Sequence, residues 1–271
     1  MDFASKLMER TGKGYLSYSA LKYAADGADE QDMKLFELYM KGLLKKESDA
    51  LTFGSVYDKL LLEPESFNDD FHVIYDSEIL KEIGGAKPRS TKKYKEWLEE
   101  EKHNAEEEGK RVINEEMIQQ AEDMIVRLDE SEVISPDTGE TIPVRHFLSG
   151  QAQYEIVDWV GDIPVRGFLD VRGQGFITDS KTTRSLSGFK YDVFKRSYDI
   201  QAYIYTHVEA ETNFYWVAQT KQKPYTVAVY KASPSTLARG EAKFWSAVNN
   251  VMRWLDKPEK DTSSFAIFSE I

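Results

Sequence analysis

The sequence predicts a mixed α/β (α+β) fold, with a helical N-terminal layer followed by a core in which short strands and helices alternate. Two observations support this prediction. Apolar residues recur at helical spacing in the first half of the chain, and short β-branched or aromatic runs separated by Gly or Pro dominate after residue 150. The length of 271 residues allows one large domain or two small ones, and it is enough to bury a core.

The first half contains three stretches with helical patterns. Apolar residues fall at helical spacing from about Ser19 to Glu47. A short apolar helix follows and should end before Pro64, because the residue preceding a proline is driven out of the helical conformation. The charged stretch from Ser90 to Ser131 predicts two solvated helices that are broken near Gly109.

The second half begins after a turn-rich segment, Ser135–Gly139, and its predicted order is three strands, a helix, two strands and a helix. The glycines Gly173 and Gly175 indicate a hairpin turn between the second and third strands. The two later strands flank the turn at Lys223-Pro224. The predicted strands are 153–160, 163–172, 175–181, 213–220 and 225–231, and the predicted helices are Tyr191–Val208 and Pro234–Leu255.

Acidic residues interrupt three of these strands at positions where the neighbouring side chains are apolar. Side chains two residues apart share one face of a strand. The acids and their same-face neighbours are Glu155 with Val157 and Trp159, Asp170 with Phe168, and Asp179 with Ile177 and Lys181.

Acids on buried faces are costly unless they are paired or bind a metal ion. Salt bridges with Arg166, Arg172 or Lys181 would explain any single one of them. Three acids on consecutive strands, with Lys181 two residues after the last, instead favour a site for a hard divalent ion such as Mg²⁺ or Mn²⁺. A lysine in that position can orient an attacking water and stabilise charge that develops on a phosphate.

The sequence argues against several other chemistries. It contains no cysteine, which excludes Cys-ligated zinc, iron–sulfur clusters and thiol nucleophiles and fits a reducing compartment. Its four histidines lie far apart, and it has neither a phosphate-binding P-loop nor a G-x-S-x-G nucleophile elbow. No apolar stretch is long enough to cross a membrane, and the first residues are charged. We therefore expect a cytoplasmic protein.

The net charge of -12 argues against passive binding to nucleic acid across the whole surface. A local basic strip can still contact phosphates, although an ordinary solvated helix face is an equally good interpretation of it. The strip consists of Lys181, Arg184, Lys190, Lys195 and Arg196, with Asp192 as the single acid among them.

Three ordered motifs resemble those of the PD-(D/E)xK nuclease superfamily. They are Gly167 to Asp170 (G-x-x-D), Asp179-Ser180-Lys181 (D-x-K) and Gln201 to Tyr205 (Q-x-x-x-Y). Within the superfamily the chain is most similar to RecB-like exonucleases of the RecE type, that is, exodeoxyribonuclease VIII and related phage enzymes. The likeness extends from about Tyr15 to Leu255, so it implies a single nuclease domain over residues 1–271. That domain would have a restriction-endonuclease-like core with a mixed central sheet flanked by helices (151–271), preceded by a mainly helical part (1–150).

The resemblance also implies a role for each residue of the centre. Asp170 and Asp179 would hold one or two Mg²⁺ (or Mn²⁺) ions, with the Ser180 carbonyl as a further ligand, and Lys181 would position the attacking water. Glu155 and Asp58 would complete the metal shell. Asp58 is a departure from the family pattern, because the helix that carries it usually supplies a histidine at this position (G-x-x-x-H).

Gln201 and Tyr205 lie one helical turn apart and share a stripe with Phe194 and Tyr198. Core packing explains such a stripe as well as a functional role does, except for the polar Gln201. The resemblance implies that Gln201 faces the site and touches Lys181 or DNA. The predicted DNA-contacting residues are Gln201, Tyr205, Arg184, Lys195 and Arg196.

The function implied by the resemblance is a 5′-to-3′ exonuclease that resects linear double-stranded DNA ends for phage-type recombination by single-strand annealing. A ring-shaped homo-oligomer, a partner annealing protein, and an origin in a phage or prophage of a bacterial host are implied in the same way. Two alternatives stay open: an endonuclease or single-strand-specific nuclease of the same superfamily, and a non-catalytic DNA-binding protein with this fold.

Overall fold

The computed structural model describes residues 2–44, 48–135, 138–211 and 213–257. It confirms the predicted mixed α/β fold, with a central mixed sheet flanked by helices. No helix within the described ranges is long and apolar enough to span a membrane. The chain forms two compact units. A sheet unit contains Met1–Lys46, His146–Thr220 and Val227–Ile271, and a helical unit contains Glu47–Arg145 and Lys221–Thr226.

The N-terminal part of the sheet unit contains three helices. The stretch predicted as helical from Ser19 onward is divided in two: Gly27 adopts a left-handed backbone conformation (φ +76°), and Asp29 then caps a new helix together with Asp32. Glu47, the predicted end of that stretch, lies outside the described residues. The helices are α1 (Phe3–Thr11), α2 (Tyr18–Leu21) and α3 (Glu30–Met40).

The helical unit matches the predicted breaks in the first half of the chain. Its first helix ends at Leu62, before Pro64, and its two long charged helices lie on either side of Gly109 (φ +69°). Two pairs of short strands were not predicted, and Pro136 and Asp137 of the predicted turn lie outside the described residues. The elements are α4 (Asp49–Leu62), α5 (Phe67–Asp70), β1 (Phe71–Ile74), α6 (Ser77–Ile83), α7 (Lys92–Glu107), β2 (Arg111–Asn114), α8 (Glu115–Asp129), β3 (Glu132–Ile134) and β4 (Thr141–Pro143).

Within the described residues, five strands form the sheet of the sheet unit, and all five were predicted. They lie in the order in which they occur in the chain, and every neighbouring pair is antiparallel except the parallel pair β7–β8. The predicted hairpin joins β6 to β7, with Gly175 in the left-handed conformation (φ +82°). The strands are β5 (Gln151–Val160), β6 (Ile163–Gly173), β7 (Phe176–Thr183), β8 (Phe214–Thr220) and β9 (Val227–Lys231).

Two helices connect β7 to β8, where a single helix over Tyr191–Val208 was predicted. That prediction was wrong because Ser197 adopts a left-handed conformation (φ +58°), which ends one helix and redirects the chain into the next. The predicted C-terminal helix Pro234–Leu255 is confirmed. The three helices are α9 (Leu186–Lys195), α10 (Tyr198–Val208) and α11 (Pro234–Leu255).

Helix α10 packs between the sheet and α11, and its residues Asp199–Thr206 are all buried. A helix that is buried on every side cannot place its polar residues in water, so each must find a partner in the protein. The crossing with α11 is close, because a Cβ atom at Gly240 would lie 2.0 Å from the Asp199 carbonyl oxygen. Glycine at this position therefore brings the start of α10 against α11.

Candidate active site

Strand β7 lies in the middle of the sheet and buries polar side chains along most of its length. Asp179 is 1% exposed, and Thr178 and Ser180 are equally inaccessible. Ile177, which shares the face of Asp179, belongs to the hydrophobic core. The predicted burial of Asp179 is therefore confirmed, and its carboxylate must be stabilised by neighbouring groups rather than by water.

Two side chains contact the two oxygens of Asp179. The Gln201 side-chain amide, projecting from α10, donates a hydrogen bond of 2.8 Å to Oδ1. The Lys181 ammonium forms an ion pair with Oδ2. Gln201 is itself buried, so its polar side chain on the otherwise apolar α10 is explained by this contact. The observed partner of Gln201 is Asp179, where Lys181 or DNA was expected, and its contact with DNA stays a prediction.

Asp170 is joined to the same segment through the backbone of β7. The Ser180 N–H donates a hydrogen bond of 2.8 Å to Asp170 Oδ2. In the β5–β6 ladder, the residues on either side of Asp170 are paired with residues of β5. Asp170 itself is not paired with Gln153, the residue of β5 opposite to it, whose backbone is left-handed (φ +47°). Because of this local irregularity, Asp170 does not take part in regular strand pairing, and it lies beside Asp179 and Ser180.

Lys181 projects from β7 into a partly buried environment. Besides Asp179, its Nζ donates a hydrogen bond of 3.2 Å to the Ser180 carbonyl oxygen. The same nitrogen lies 5.2 Å from the centre of the Tyr198 ring, at the first residue of α10. The D-x-K motif therefore folds its lysine back onto its own aspartate and peptide group, with an aromatic ring alongside.

The pKa values of Asp179 and Lys181 are shifted by burial, by their mutual attraction and by the charge of Asp170. Burial raises the pKa of Asp179 to about 7, the attraction of Lys181 works against this increase, and the nearby Asp170 carboxylate adds to it. Burial acts to lower the pKa of Lys181, but the Asp179 and Asp170 carboxylates outweigh it and hold that pKa above its usual range. Lys181 is therefore cationic, while Asp179 changes its charge near neutral pH.

The donor atoms of the centre fit a hard divalent ion. The Asp170 and Asp179 carboxylates and the Ser180 carbonyl are all oxygen donors, which Mg²⁺ and Mn²⁺ prefer. Within the described ranges, no three His, Asp or Glu side chains form a group that could hold a metal. The fit is therefore to an ion held by two carboxylates, whose shell is completed by water and by substrate phosphate, as is usual for Mg²⁺.

Glu155 lies in a different environment from the other two acids. The prediction that its strand face is buried is wrong, because Val157 and Trp159 are 70% and 55% exposed and β5 is an edge strand. Phe168, the predicted buried neighbour of Asp170, is also exposed. Glu155 accepts a hydrogen bond of 2.6 Å from Arg166 Nε, which is the salt bridge that the sequence left open. Its role in the metal shell stays a prediction.

Tyr205 and Gly167, from two different motifs, pack against each other. A Cβ atom at Gly167 would lie 2.7 Å from a ring carbon of Tyr205, so only glycine leaves room for this ring. Tyr205 is 5% exposed and belongs to the hydrophobic core. These contacts support the packing interpretation of its position one turn after Gln201, and its contact with DNA stays a prediction.

The predicted DNA-contacting cations lie on the solvent side of the β7–α10 connection. Arg184 follows β7, and Lys195 and Arg196 end α9, and all three are exposed. Arg196 forms a loose ion pair of 3.5 Å with Asp192. Their exposure leaves them available to phosphate groups, and contact with DNA stays a prediction.

Asp58 lies in the helical unit, on α4, and is half-buried. Its neighbours Val56, Tyr57 and Leu61 are buried. Burial, with the Asp58 carboxylate as a second cause, raises the pKa of Tyr57. The role of Asp58 as a metal ligand stays a prediction.

Sequence reasoning did not identify Tyr18 as a neighbour of the site. Its ring centre lies 6.2 Å from that of Tyr198, and its hydroxyl donates a hydrogen bond of 2.8 Å to the Arg196 carbonyl oxygen. Ser17 caps α2 and thereby fixes the position of Tyr18. Nothing in the sequence around Tyr18 indicated a contact with Arg196, 178 positions away.

Comparison with known proteins places these observations in a family. The model of a family described as a PDDEXK-like domain of unknown function (DUF3799) matches residues 17–264. A crystal structure from Eubacterium rectale, described as a "putative exonuclease", is similar with a TM-score of 0.62 and 17% identity, over 100% of this chain and 94% of that one. At this identity the likeness shows the fold alone.

Other comparisons add little. A crystal structure of the protein SSO0001 matches with a TM-score of 0.28 and 19% identity, over 41% of this chain and 53% of that one. No curated protein matches the chain.

Proposed function

Because the chain belongs to this family of PDDEXK-like domains of unknown function, we propose that it is a metal-dependent nuclease that hydrolyses phosphodiester bonds in DNA. One observation carries the proposal. The buried Asp179 carboxylate is paired with Lys181 and is joined, through the Ser180 amide, to a second carboxylate, Asp170. Two acids that can hold a divalent ion, with a lysine paired to one of them, supply the groups that can carry out metal-assisted hydrolysis of a phosphodiester.

In this proposal each residue of the centre has a distinct task. Asp170 and Asp179 would hold a divalent ion with the Ser180 carbonyl as a further ligand, and Gln201 fixes the orientation of Asp179 through its 2.8 Å hydrogen bond. A bound Mg²⁺ or Mn²⁺ ion lowers the pKa of a water molecule and neutralises charge on the phosphate. Lys181 orients the attacking water and donates hydrogen bonds to the phosphate oxygens as their charge develops.

The finer proposal is a 5′-to-3′ exonuclease acting on linear double-stranded DNA ends in phage-type recombination. The support for it is the ordered set of motifs that resembles RecE-type enzymes. Assembly into a ring-shaped homo-oligomer and cooperation with a single-strand annealing protein belong to the same proposal. In the same proposal, the protein is encoded by a phage or prophage and acts in the cytoplasm of the bacterial host.

The DNA contact in the proposal is made by Arg184, Lys195 and Arg196. Replacing all three with Gln should weaken binding to a short duplex and reduce the slope of log affinity against log salt by about 3, because each lost phosphate contact removes about 0.9. Binding is measured by fluorescence anisotropy at several salt concentrations with Ca²⁺ in place of Mg²⁺. An unchanged slope would mean that these cations do not contact the DNA. Lys93, Lys102 and Arg127, which are exposed in the helical unit, provide a triple-Gln control with the same change in net charge.

The substrate is tested by offering linear duplex, covalently closed circular duplex and single-stranded DNA side by side with Mg²⁺. The expected result is digestion of the linear duplex from its ends, with circles left intact and with no cleavage in EDTA. The variant Asp170→Asn, purified in parallel, controls for a contaminating nuclease. Equal cleavage of circles would indicate an endonuclease instead of an exonuclease. A preference for single strands would indicate a single-strand-specific nuclease. No cleavage of any substrate would favour a non-catalytic DNA-binding protein.

A further inference from the structure

Lys181 has a third neighbour whose chemistry differs from that of the first two. The Asp179 carboxylate and the Ser180 carbonyl, at 3.2 Å, are oxygen acceptors. The Tyr198 ring, centred 5.2 Å from Nζ, presents an aromatic face, which attracts a cation through its negative quadrupole. An aromatic face holds an ammonium group without occupying its N–H groups in strong hydrogen bonds.

The position of the Tyr198 ring is fixed by its surroundings. Ser197, immediately before it, has φ +58° and ψ +32°, a backbone conformation that residues other than glycine rarely adopt. This left-handed turn begins α10 in the direction that brings Tyr198 beside Lys181. The ring is supported by Tyr18 at 6.2 Å and by Phe189 at 6.4 Å, and Phe189 is stacked in turn on Tyr230 at 5.1 Å.

We propose that Tyr198 is a positioning residue whose ring holds the Lys181 ammonium in place when Asp179 is engaged by a divalent ion. The inference rests on the proposed function, in which Asp179 and the Ser180 carbonyl are metal ligands. Those two oxygens are also the hydrogen-bonding partners of Lys181, so a bound ion competes with the lysine for both of them. The Tyr198 ring contains no competing acceptor on its face and keeps its hold on the ammonium.

This arrangement has two consequences. Lys181 is released from Asp179 at little cost, so the carboxylate is free for the ion. The N–H groups of Lys181 are also left free for water and phosphate, while its position is maintained by the ring. Removing the ring should therefore weaken metal binding and slow cleavage, although Tyr198 is not one of the proposed metal ligands.

Binding of Mn²⁺ alone, measured by calorimetry without DNA, tests the inference. Tyr198→Leu should weaken Mn²⁺ binding about tenfold, because Lys181 then competes for Asp179 with no alternative contact. Tyr198→Phe should bind as the wild type does, because the ring face is retained. In the double variant Tyr198→Leu/Lys181→Ala the affinity should recover, since the competing ammonium is absent. The matched control is Tyr230→Leu, which removes a ring from the same aromatic cluster that is stacked on Phe189.

A measurement on the unaltered protein complements the variants. The side-chain methylene protons of Lys181 should keep their ring-current shift from Tyr198 in NMR spectra when Mg²⁺ is added. Loss of that shift on metal binding would overturn the inference, whether or not Tyr198→Leu folds. On DNA, Tyr198→Leu should lower kcat about tenfold with KM little changed.

Two results separate the inference from the function on which it rests. If the wild type binds Mn²⁺ and cuts DNA but Tyr198→Leu behaves like Tyr230→Leu in both assays, the inference is wrong and the proposed function stands. If the wild type neither binds Mn²⁺ nor cuts DNA, the proposed function is wrong and the inference falls with it.

Discussion

Among its described residues, the sheet unit contains two buried aspartate–lysine pairs of similar composition and different character. In one, Asp179 on β7 is paired with Lys181. In the other, Asp199 at the start of α10 is paired with Lys243 on α11 at 2.8 Å, and both aspartates are essentially inaccessible to solvent. Burial raises the pKa of both acids while the partner lysine works against it. Neither burial nor the ion pair therefore distinguishes a reaction centre from a structural contact.

The difference lies in what surrounds each lysine. Lys243 donates a hydrogen bond of 3.1 Å to the other oxygen of Asp199 and one of 2.8 Å to the Phe194 carbonyl, so it ties the end of α9 to the start of α10. Lys181 instead is paired with Asp179, and the charge of a second carboxylate, Asp170, also raises its pKa. A second acid beside a buried pair indicates a place for a further cation.

The largest expected effect is on catalysis, at the first pair. Lys181→Ala should lower the rate of DNA cleavage with Mg²⁺ by about 10²–10⁴-fold, because the group that orients the water and stabilises phosphate charge is lost. The variant should still fold, since burial raises the pKa of Asp179 and the loss of Lys181 raises it further, so the carboxyl takes up a proton and no unpaired charge is buried. Cleavage rates and urea unfolding measure the two properties. If Lys181→Ala cleaved DNA at the wild-type rate, the Asp179–Lys181 pair would have no catalytic role to distinguish it from the Asp199–Lys243 pair.

At the second pair the expected effect is on stability. Lys243→Met should lower the free energy of unfolding by about 3–5 kcal/mol, because Asp199 is left buried without its counter-charge. The double variant Asp199→Asn/Lys243→Met should recover part of this loss in urea unfolding, since no charge stays buried. A loss below about 1 kcal/mol for Lys243→Met would show that this pair contributes little to the fold.

The pH dependence of stability should reveal Asp179 in the metal-free protein. Its pKa in the folded state, about 7, lies above its value of about 3.9 in an unfolded chain. The protonated carboxyl therefore stabilises the fold fully below about pH 4, and this contribution is lost as the pH rises through 7. We expect the wild type to lose on the order of 3 kcal/mol relative to Asp179→Asn between pH 4 and 8. A constant difference between the two unfolding curves would contradict the raised pKa.

A smaller effect is expected at the contact between Gly167 and Tyr205, which involves neither Lys181 nor Lys243. Gly167→Ala should lower the free energy of unfolding by about 1–3 kcal/mol, because the new methyl group collides with the Tyr205 ring. Gly175→Ala, at a glycine with open space around it but the left-handed φ of +82°, is the control for backbone strain alone. If Tyr205→Leu made room for the alanine in a double variant, the packing role of Tyr205 would be supported. Additive losses would contradict it.

The strands could be predicted from the sequence, but their place in the sheet could not. Alternation is the same in an edge strand and a central strand, so Glu155 and Asp179 looked equivalent. The structure separates them, because β5 has a solvent-exposed face and β7 has none near Asp179. The motif residues Asp170 and Gln201 were identified because their order along the chain is distinctive, whatever their burial.

The helix break at Ser197 and the Asp199–Lys243 pair could not be predicted from the sequence. Ser197 breaks the predicted helix in a left-handed conformation that usually marks glycine or asparagine, so a serine gave no warning. Asp199 resembles the acids that commonly favour the first turn of a helix, and its partner Lys243 lies 44 residues away. Contacts at such sequence separations depend on how α10 crosses α11, which is set by packing at Gly240.

The most direct test compares the same substitution at the two pairs. Asp179→Asn and Asp199→Asn each remove one buried carboxylate charge, and their cleavage of linear duplex DNA is measured with Mg²⁺ and in EDTA, at a temperature where both are folded. We expect Asp179→Asn to lose at least about 10²-fold in rate and Asp199→Asn to stay within a few-fold of the wild type. Equal rates for the two variants, or cleavage by Asp179→Asn at the wild-type rate, would contradict the assignment of the reaction centre to Asp170, Asp179 and Lys181.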